Sequence, residues 1–169
     1  MPLRRYFFRS ILFLFGTLLC VGCGESARSH PKMAQDFTLP LYKNSSQKIR
    51  LQEVVSQQPV LLVFWATWCP SCQQEMPILN RWKTKYPNLK ILAINVEQED
   101  EEISNFEQKK AIHFPVLLDR DGEVSRRYEI ETLPSIILLA KGGGILYYGF
   151  TLPQNLEQLL AKELLHGSE

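Results

Sequence analysis

Apolar residues fall in short runs between polar stretches, and the period of each run predicts an element. Residues 60–66 (VLLVFWA) and 89–96 (LKILAINV) are nearly continuous apolar runs, rich in β-branched and aromatic side chains. Such runs predict strands buried on both faces. Between them, residues 70–86 carry Met76, Leu79 and Trp82 at helical spacing and predict a helix with Pro77 kinking it from inside. Residues 97–110 predict a charged helix whose acids cluster at its start, where the macrodipole favours them. A short strand follows at 116–118, then a turn at Asp121-Gly122 and a short helix over 123–128. Residues 135–140 (SIILLA) and 145–150 (ILYYGF) predict two strands joined by KGGG as a hairpin. Leu156, Leu159, Leu160 and Leu164 close the chain as an amphipathic helix over 153–165. Upstream, 37–39 and 48–51 alternate around a polar Asn44-Ser45-Ser46 turn, predicting a first hairpin, and 51–56 suit one helical turn. Strands alternating with helices, then a terminal hairpin and helix, define a mixed-sheet α/β layer fold.

The first residues follow a different pattern. Arg4, Arg5 and Arg9 precede an apolar run at 11–19, which reads as an export signal over 1–22. The uncharged stretch 10–24 is shorter than the ~20 residues a spanning helix needs, so a cleaved signal is favoured over a permanent anchor. Residues 23–35 are polar, carry Ser, His and Pro, and read as a tether. The domain is expected over 36–166. Leu19-Cys20-Val21-Gly22-Cys23 resembles a bacterial lipoprotein processing site, which would make Cys23 the lipid-bearing residue. Cys20 stands where that pattern usually has Leu. Arg4 to Arg9 (RRYFFR) also resembles a twin-arginine export signal, without the usual Ser or Thr before the arginines.

Composition then narrows the class. The chain has 169 residues, 45% hydrophobic and 22% charged, which suits one folded domain and argues against disorder. With 19 basic and 18 acidic residues there is no basic footprint for nucleic acid. Loss of 1–22 removes three arginines and no acids, which leaves the remainder mildly acidic. Export would place the chain where disulfides persist.

Trp68-Cys69-Pro70-Ser71-Cys72 follows a buried strand and opens a helix. Unpaired N–H groups and the positive dipole end at a helix N-terminus both stabilise a thiolate. Cys69 sits at that end, and Cys72 lies one turn on along the same face. Two thiols so spaced can close a small disulfide ring and reopen it by exchange. A lowered pKa would make Cys69 the attacking thiolate and Cys72 the resolving thiol. Two other readings carry less. A structural zinc site needs four ligands, yet Cys20 lies in the signal, Cys23 directly follows it and His30, His113 and His166 are scattered, so no metal site is expected. A permanent disulfide closing so short a loop adds little stability. Asp119-Arg120-Asp121-Gly122 matches only the opening of a calcium loop and reads as a turn, and the acids of 97–102 read as a solvated helix start.

VLLVFWATWCPSCQQEMP resembles the active-site segment of the TlpA/ResA-like thioredoxin family, exported thiol–disulfide oxidoreductases of the thioredoxin fold. The resemblance runs over about residues 36–165. Pro77 matches the family's helix-kinking proline, and 128–135 (YEIETLPS) resembles its loop before an active-site cis-proline. The resemblance implies a thioredoxin fold: a mixed central sheet flanked by helices, with an N-terminal β-hairpin and a central αβ insertion. It implies that Pro134 is cis and faces the disulfide, with the Leu133 backbone open to an extended substrate chain. Glu75, on the face of Cys72, would tune the cysteines and move protons. Trp68, Pro70, Ser71, Thr132 and Leu133 would line the substrate side, whereas Trp65 belongs to the core. Val63 departs from cytoplasmic thioredoxins, which usually carry a buried aspartate there, so proton transfer falls to Glu75 or water.

The resemblance implies an enzyme with no cofactor beyond its redox-active disulfide. Its partners would be protein thiols and disulfides, with a membrane protein as electron donor or oxidant. It would work in the bacterial cell envelope, held to the membrane by a lipid or by its N-terminal segment. The family's members are mostly reductants, often of apocytochrome c or copper-site thiols. The loop 129–135 lacks the Gly-Val-x-Gly-x-Pro-Glu stretch of many cytochrome-maturation members. An oxidase or isomerase of envelope proteins is the alternative, and a copper-delivery module a third.

Overall fold

Seven strands of the described residues form one sheet. The structure, a computed structural model, describes residues 32–166. The elements are β1 (Thr38–Leu41), β2 (Asn44–Arg50), α1 (Leu51–Val55), β3 (Val60–Trp65), α2 (Pro70–Lys85), β4 (Lys90–Val96) and α3 (Asp100–Glu107). They continue with β5 (Val116–Asp119), α4 (Glu123–Arg127), β6 (Ser135–Leu139), β7 (Ile145–Gly149) and α5 (Leu156–His166). The strand order is β2-β1-β5-β4-β3-β6-β7; β3, β4 and β5 run parallel, while β6 pairs antiparallel with β3, and β7 with β6. The sheet is therefore mixed, with helices on both sides, as the apolar pattern predicts.

Strand alternation divides the central residues between two cores. Leu61, Val63 and Trp65 of β3 join Ile136 and Leu138 of β6 on one face, under α2, α3 and α5. Val60, Leu62 and Phe64 join Ile137 and Leu139 on the other, against α1 and α4. Every residue of β3 is buried, which explains why its run shows no polar alternation.

Several boundaries differ from the sequence reading: α5 starts at Leu156 rather than at 153, and two other shifts bear on the sheet edge and the site. The first hairpin turns at Tyr42-Lys43, where Lys43 has φ 68°, and Asn44, Ser45 and Ser46 belong to β2. β2 is an edge strand with nearly every residue exposed, so polar side chains are at no disadvantage in it. α3 starts at Asp100 rather than at 97. Glu97 adopts φ 52°, Gln98 is buried, and the Glu102 carboxylate accepts the Glu99 N–H at 3.0 Å.

Asp119 and Gly122 set the turn after β5. The buried Asp119 carboxylate accepts from the Val124 N–H at 3.1 Å and the Ser125 N–H at 2.8 Å, closing the first turn of α4. The Ser125 hydroxyl donates to the same carboxylate. Gly122 takes φ 66°, where a side chain would strain the backbone. Lys32 and Ala34 fall in the segment read as tether; the Lys32 carbonyl accepts from Ile145 N–H at 3.0 Å, and Ala34 N–H donates to the Gly143 carbonyl at 2.9 Å. The signal, Cys23 and the rest of the tether lie outside the described residues. No helix of the described residues is long and apolar enough to cross a membrane.

Candidate active site

The site forms where β3 ends and α2 begins. Residues 66–69 carry the chain from sheet to helix, closed by Cys69 N–H donating to the Ala66 carbonyl at 3.2 Å. Cys69 is the N-cap of α2, and Pro70 occupies the first helical position, where its missing N–H costs nothing. Cys69 and Cys72 are joined by a disulfide with Cα atoms 5.3 Å apart. The Cys72 N–H points at Cys69 Sγ at 3.2 Å, and the Ser71 hydroxyl lies 3.5 Å from the same sulfur. The first turn of α2 has no acidic side chain. Once the disulfide is reduced, the positive helix end and the Cys72 N–H act on the Cys69 sulfur, which favours its thiolate.

Cys69 and Cys72 are 3% and 1% exposed, so a partner sulfur must approach closely to react. Trp68 beside them is 67% exposed, and Pro70, Ser71 and Thr132 are also on the surface. Trp65 is wholly buried against Phe106 with ring centroids 5.3 Å apart, which makes it a core residue. The Leu133–Pro134 peptide bond is cis. Pro134 is buried, Leu133 half-buried, and the Ser135 hydroxyl donates to the Thr132 carbonyl at 2.6 Å. Pairing of Phe64 with Ser135 brings this loop to the end of β3 that leads to Cys69.

Glu75 lies one turn beyond Cys72. One carboxylate oxygen accepts from the Leu152 N–H at 3.1 Å. The other is buried without a hydrogen-bond partner among the described residues. Burial pushes its pKa above the ordinary carboxylate range, against the lowering effect of the Leu152 N–H. Val63 is buried under α2 and contributes no acid. His113 is exposed and donates its backbone N–H to Asn80 Oδ1 at 2.9 Å, while His30 lies outside the described residues. Among the described residues no group of three or more His, Cys, Asp or Glu could hold a metal ion.

The sequence reading missed the polar residues that hold the strand-to-helix loop. Gln98, Asn95, Thr67 and Gln73 form one hydrogen-bonded cluster beside the cysteines. A usable signal was the Glu99-to-Glu102 spacing, which resembles a helix-start box and would have placed Gln98 before α3.

A Cys-x-x-Cys disulfide capping a helix on this mixed sheet defines a thioredoxin-fold thiol–disulfide oxidoreductase. The AhpC/TSA family profile matches residues 31–148, and the chain belongs to that family, among its ResA-like thiol–disulfide oxidoreductases. It is 30% identical to the thiol-disulfide oxidoreductase ResA of Bacillus thuringiensis subsp. konkukian, covering 96% of this chain and 98% of that one. Among solved structures it is similar to a thiol-disulfide oxidoreductase of Bacteroides fragilis (TM-score 0.64, 30% identity, 78% of this chain and 98% of that one). It is also similar to StoA of Bacillus subtilis, with TM-score 0.62 and 26% identity over 78% of this chain and 98% of that one.

Proposed function

We propose that the protein is exported, tethered to the membrane, and acts as a reductant of disulfides in cell-envelope proteins. The observation that carries the thiol chemistry is the Cys72 N–H aimed at Cys69 Sγ at the start of α2. In the reduced protein the Cys69 thiolate attacks one sulfur of a substrate disulfide and the other sulfur leaves as a thiolate. Cys72 then loses its proton and attacks Cys69 Sγ. The second substrate sulfur is released and the Cys69–Cys72 disulfide is restored. Each cycle moves two electrons to the substrate, so a membrane donor must reduce the pair again. Glu75, one turn beyond Cys72 on α2, would receive the Cys72 proton, and burial raises its pKa towards that of a thiol.

Trp68, Pro70, Ser71, Thr132 and Leu133 supply the surface against which an extended substrate chain lies. The reductant direction is supported by the family resemblance. Export rests on the pattern of residues 1–22, and tethering on Cys23 or on the N-terminal segment itself. The deciding experiment is the reduction potential of the Cys69–Cys72 pair in protein spanning residues 24–169. A value at or below about −230 mV is expected, near thioredoxin at about −270 mV. A value above about −180 mV would make the protein an oxidase or isomerase.

A further inference from the structure

Thr67 precedes Cys69 by two residues and has each of its polar groups fixed by a side chain from elsewhere in the fold. Its N–H donates to Gln98 Oε1 at 2.6 Å, and its hydroxyl oxygen accepts from Gln98 Nε2 at 2.7 Å. Its carbonyl accepts from Gln73 Nε2 at 2.7 Å, and Gln73 Oε1 in turn accepts from Lys110 Nζ at 2.9 Å. Gln98 is only 3% exposed and both ends of its amide are used twice. Oε1 also accepts from Asn95 Nδ2 at 3.0 Å, and Nε2 also donates to Glu102 Oε1 at 2.9 Å. Those bonds orient the amide, because with its O and N swapped the Thr67 N–H would face a donor and the Glu102 carboxylate an acceptor. Glu102 is held in turn by the Glu99 N–H, and these two hydrogen bonds keep its carboxyl below the usual range.

Much of this arrangement serves no packing purpose. A buried Leu at position 98 would fill similar space without four polar contacts to satisfy. The amide instead spans from the end of β4 and the start of α3 to the loop that delivers the cysteines. Left-handed backbone at Glu97 turns the chain so that Gln98 points inward.

We propose that Gln98 is a positioning residue for the redox pair: by fixing Thr67 it sets where the Cys69 sulfur rests over the first turn of α2. This rests on the reading of Cys69 as the attacking thiol. The gain from the helix end and the Cys72 N–H falls steeply with distance and angle. A loop free to shift by a fraction of an ångström loses part of it, and the thiolate becomes harder to form.

The test is the pH profile of Cys69 alkylation by iodoacetamide in the reduced full-length protein, with mass spectrometry to locate the label. Gln98→Leu is expected to move the midpoint to higher pH and to slow alkylation at pH 7 by about fivefold, since the thiolate loses part of a charge-assisted hydrogen bond. Thr67→Val, which removes only the hydroxyl, is expected to shift the midpoint the same way by a smaller amount, and it carries the test should Gln98→Leu not fold. Midpoints unchanged in folded variants, with only the melting temperature lowered, would overturn the proposal and make Gln98 a purely structural residue. Label on Cys72 rather than Cys69 in the parent protein would instead overturn the assignment of the attacking thiol, and this proposal with it.

Discussion

Glu75 accepts a hydrogen bond from the Leu152 N–H, which ties the second turn of the cysteine-bearing helix to the segment between β7 and α5 across 77 residues of sequence. The bond uses one oxygen and leaves the other buried beneath the helix. A carboxylate placed so is harder to ionise than one in water.

Glu75 therefore contributes a definite pH dependence to stability. Its pKa in the folded chain lies above the ordinary 4.5. Between 4.5 and the raised value the folded chain holds a proton that the unfolded chain has lost. Stability from this group is full below that window and falls as pH rises through it. Glu75→Gln abolishes the titration. The melting temperature of the parent should decline relative to the variant as pH rises from about 4.5. A constant difference across that range would show that Glu75 titrates as a solvent carboxylate.

The two cysteines should fail in different ways. On the proposed roles, Cys72→Ser keeps the attacking thiol but removes the one that releases product, so the mixed disulfide with substrate should accumulate on non-reducing gels. Cys69→Ser should trap nothing. Trapping by Cys69→Ser and not by Cys72→Ser would reverse the two roles.

Trp68 separates binding from folding. At 67% exposure its replacement by Ala should change stability by no more than about 0.5 kcal/mol. The KM for a disulfide-bearing peptide should rise, with kcat nearly unchanged, if the ring forms part of the proposed substrate surface and not of the reacting pair. Urea unfolding and steady-state kinetics on one preparation measure both quantities.

Asp119 is the opposite case, a buried acid with a structural task. Asp119→Ala strands the Val124 and Ser125 N–H groups and should cost about 2–3 kcal/mol in urea unfolding. Asp119→Asn should cost less, because one amide oxygen still accepts. Equal loss in both variants would mean that the charge, rather than the acceptor, holds the turn.

The edge hairpin shows where reading the chain stops. The alternation of β1 and β2 is legible in the chain, but Asn44-Ser45-Ser46, residues that favour turns in general, predict the turn in the wrong place. The chain turns instead at Lys43, whose left-handed backbone carries no sequence mark. At α3 the acids of 97–102 predict one continuous helix, but Glu97 takes left-handed backbone and Gln98 is buried, so the helix starts at Asp100.

Sequence alone determined the strands β3, β4 and β6, the helix α2, and the place of Cys69 and Cys72 at its first turn. These follow from local rules: a run of apolar residues has one economical burial, and a helix end presents its free N–H groups to whatever residue caps it. Tertiary structure decided how the site is held and how its acid behaves. Gln98 reaches Thr67 across 31 residues, and Leu152 reaches Glu75 across 77. Such contacts depend on which strands lie side by side and how deeply a side chain is buried, and neither quantity is written in the neighbours of a residue along the chain.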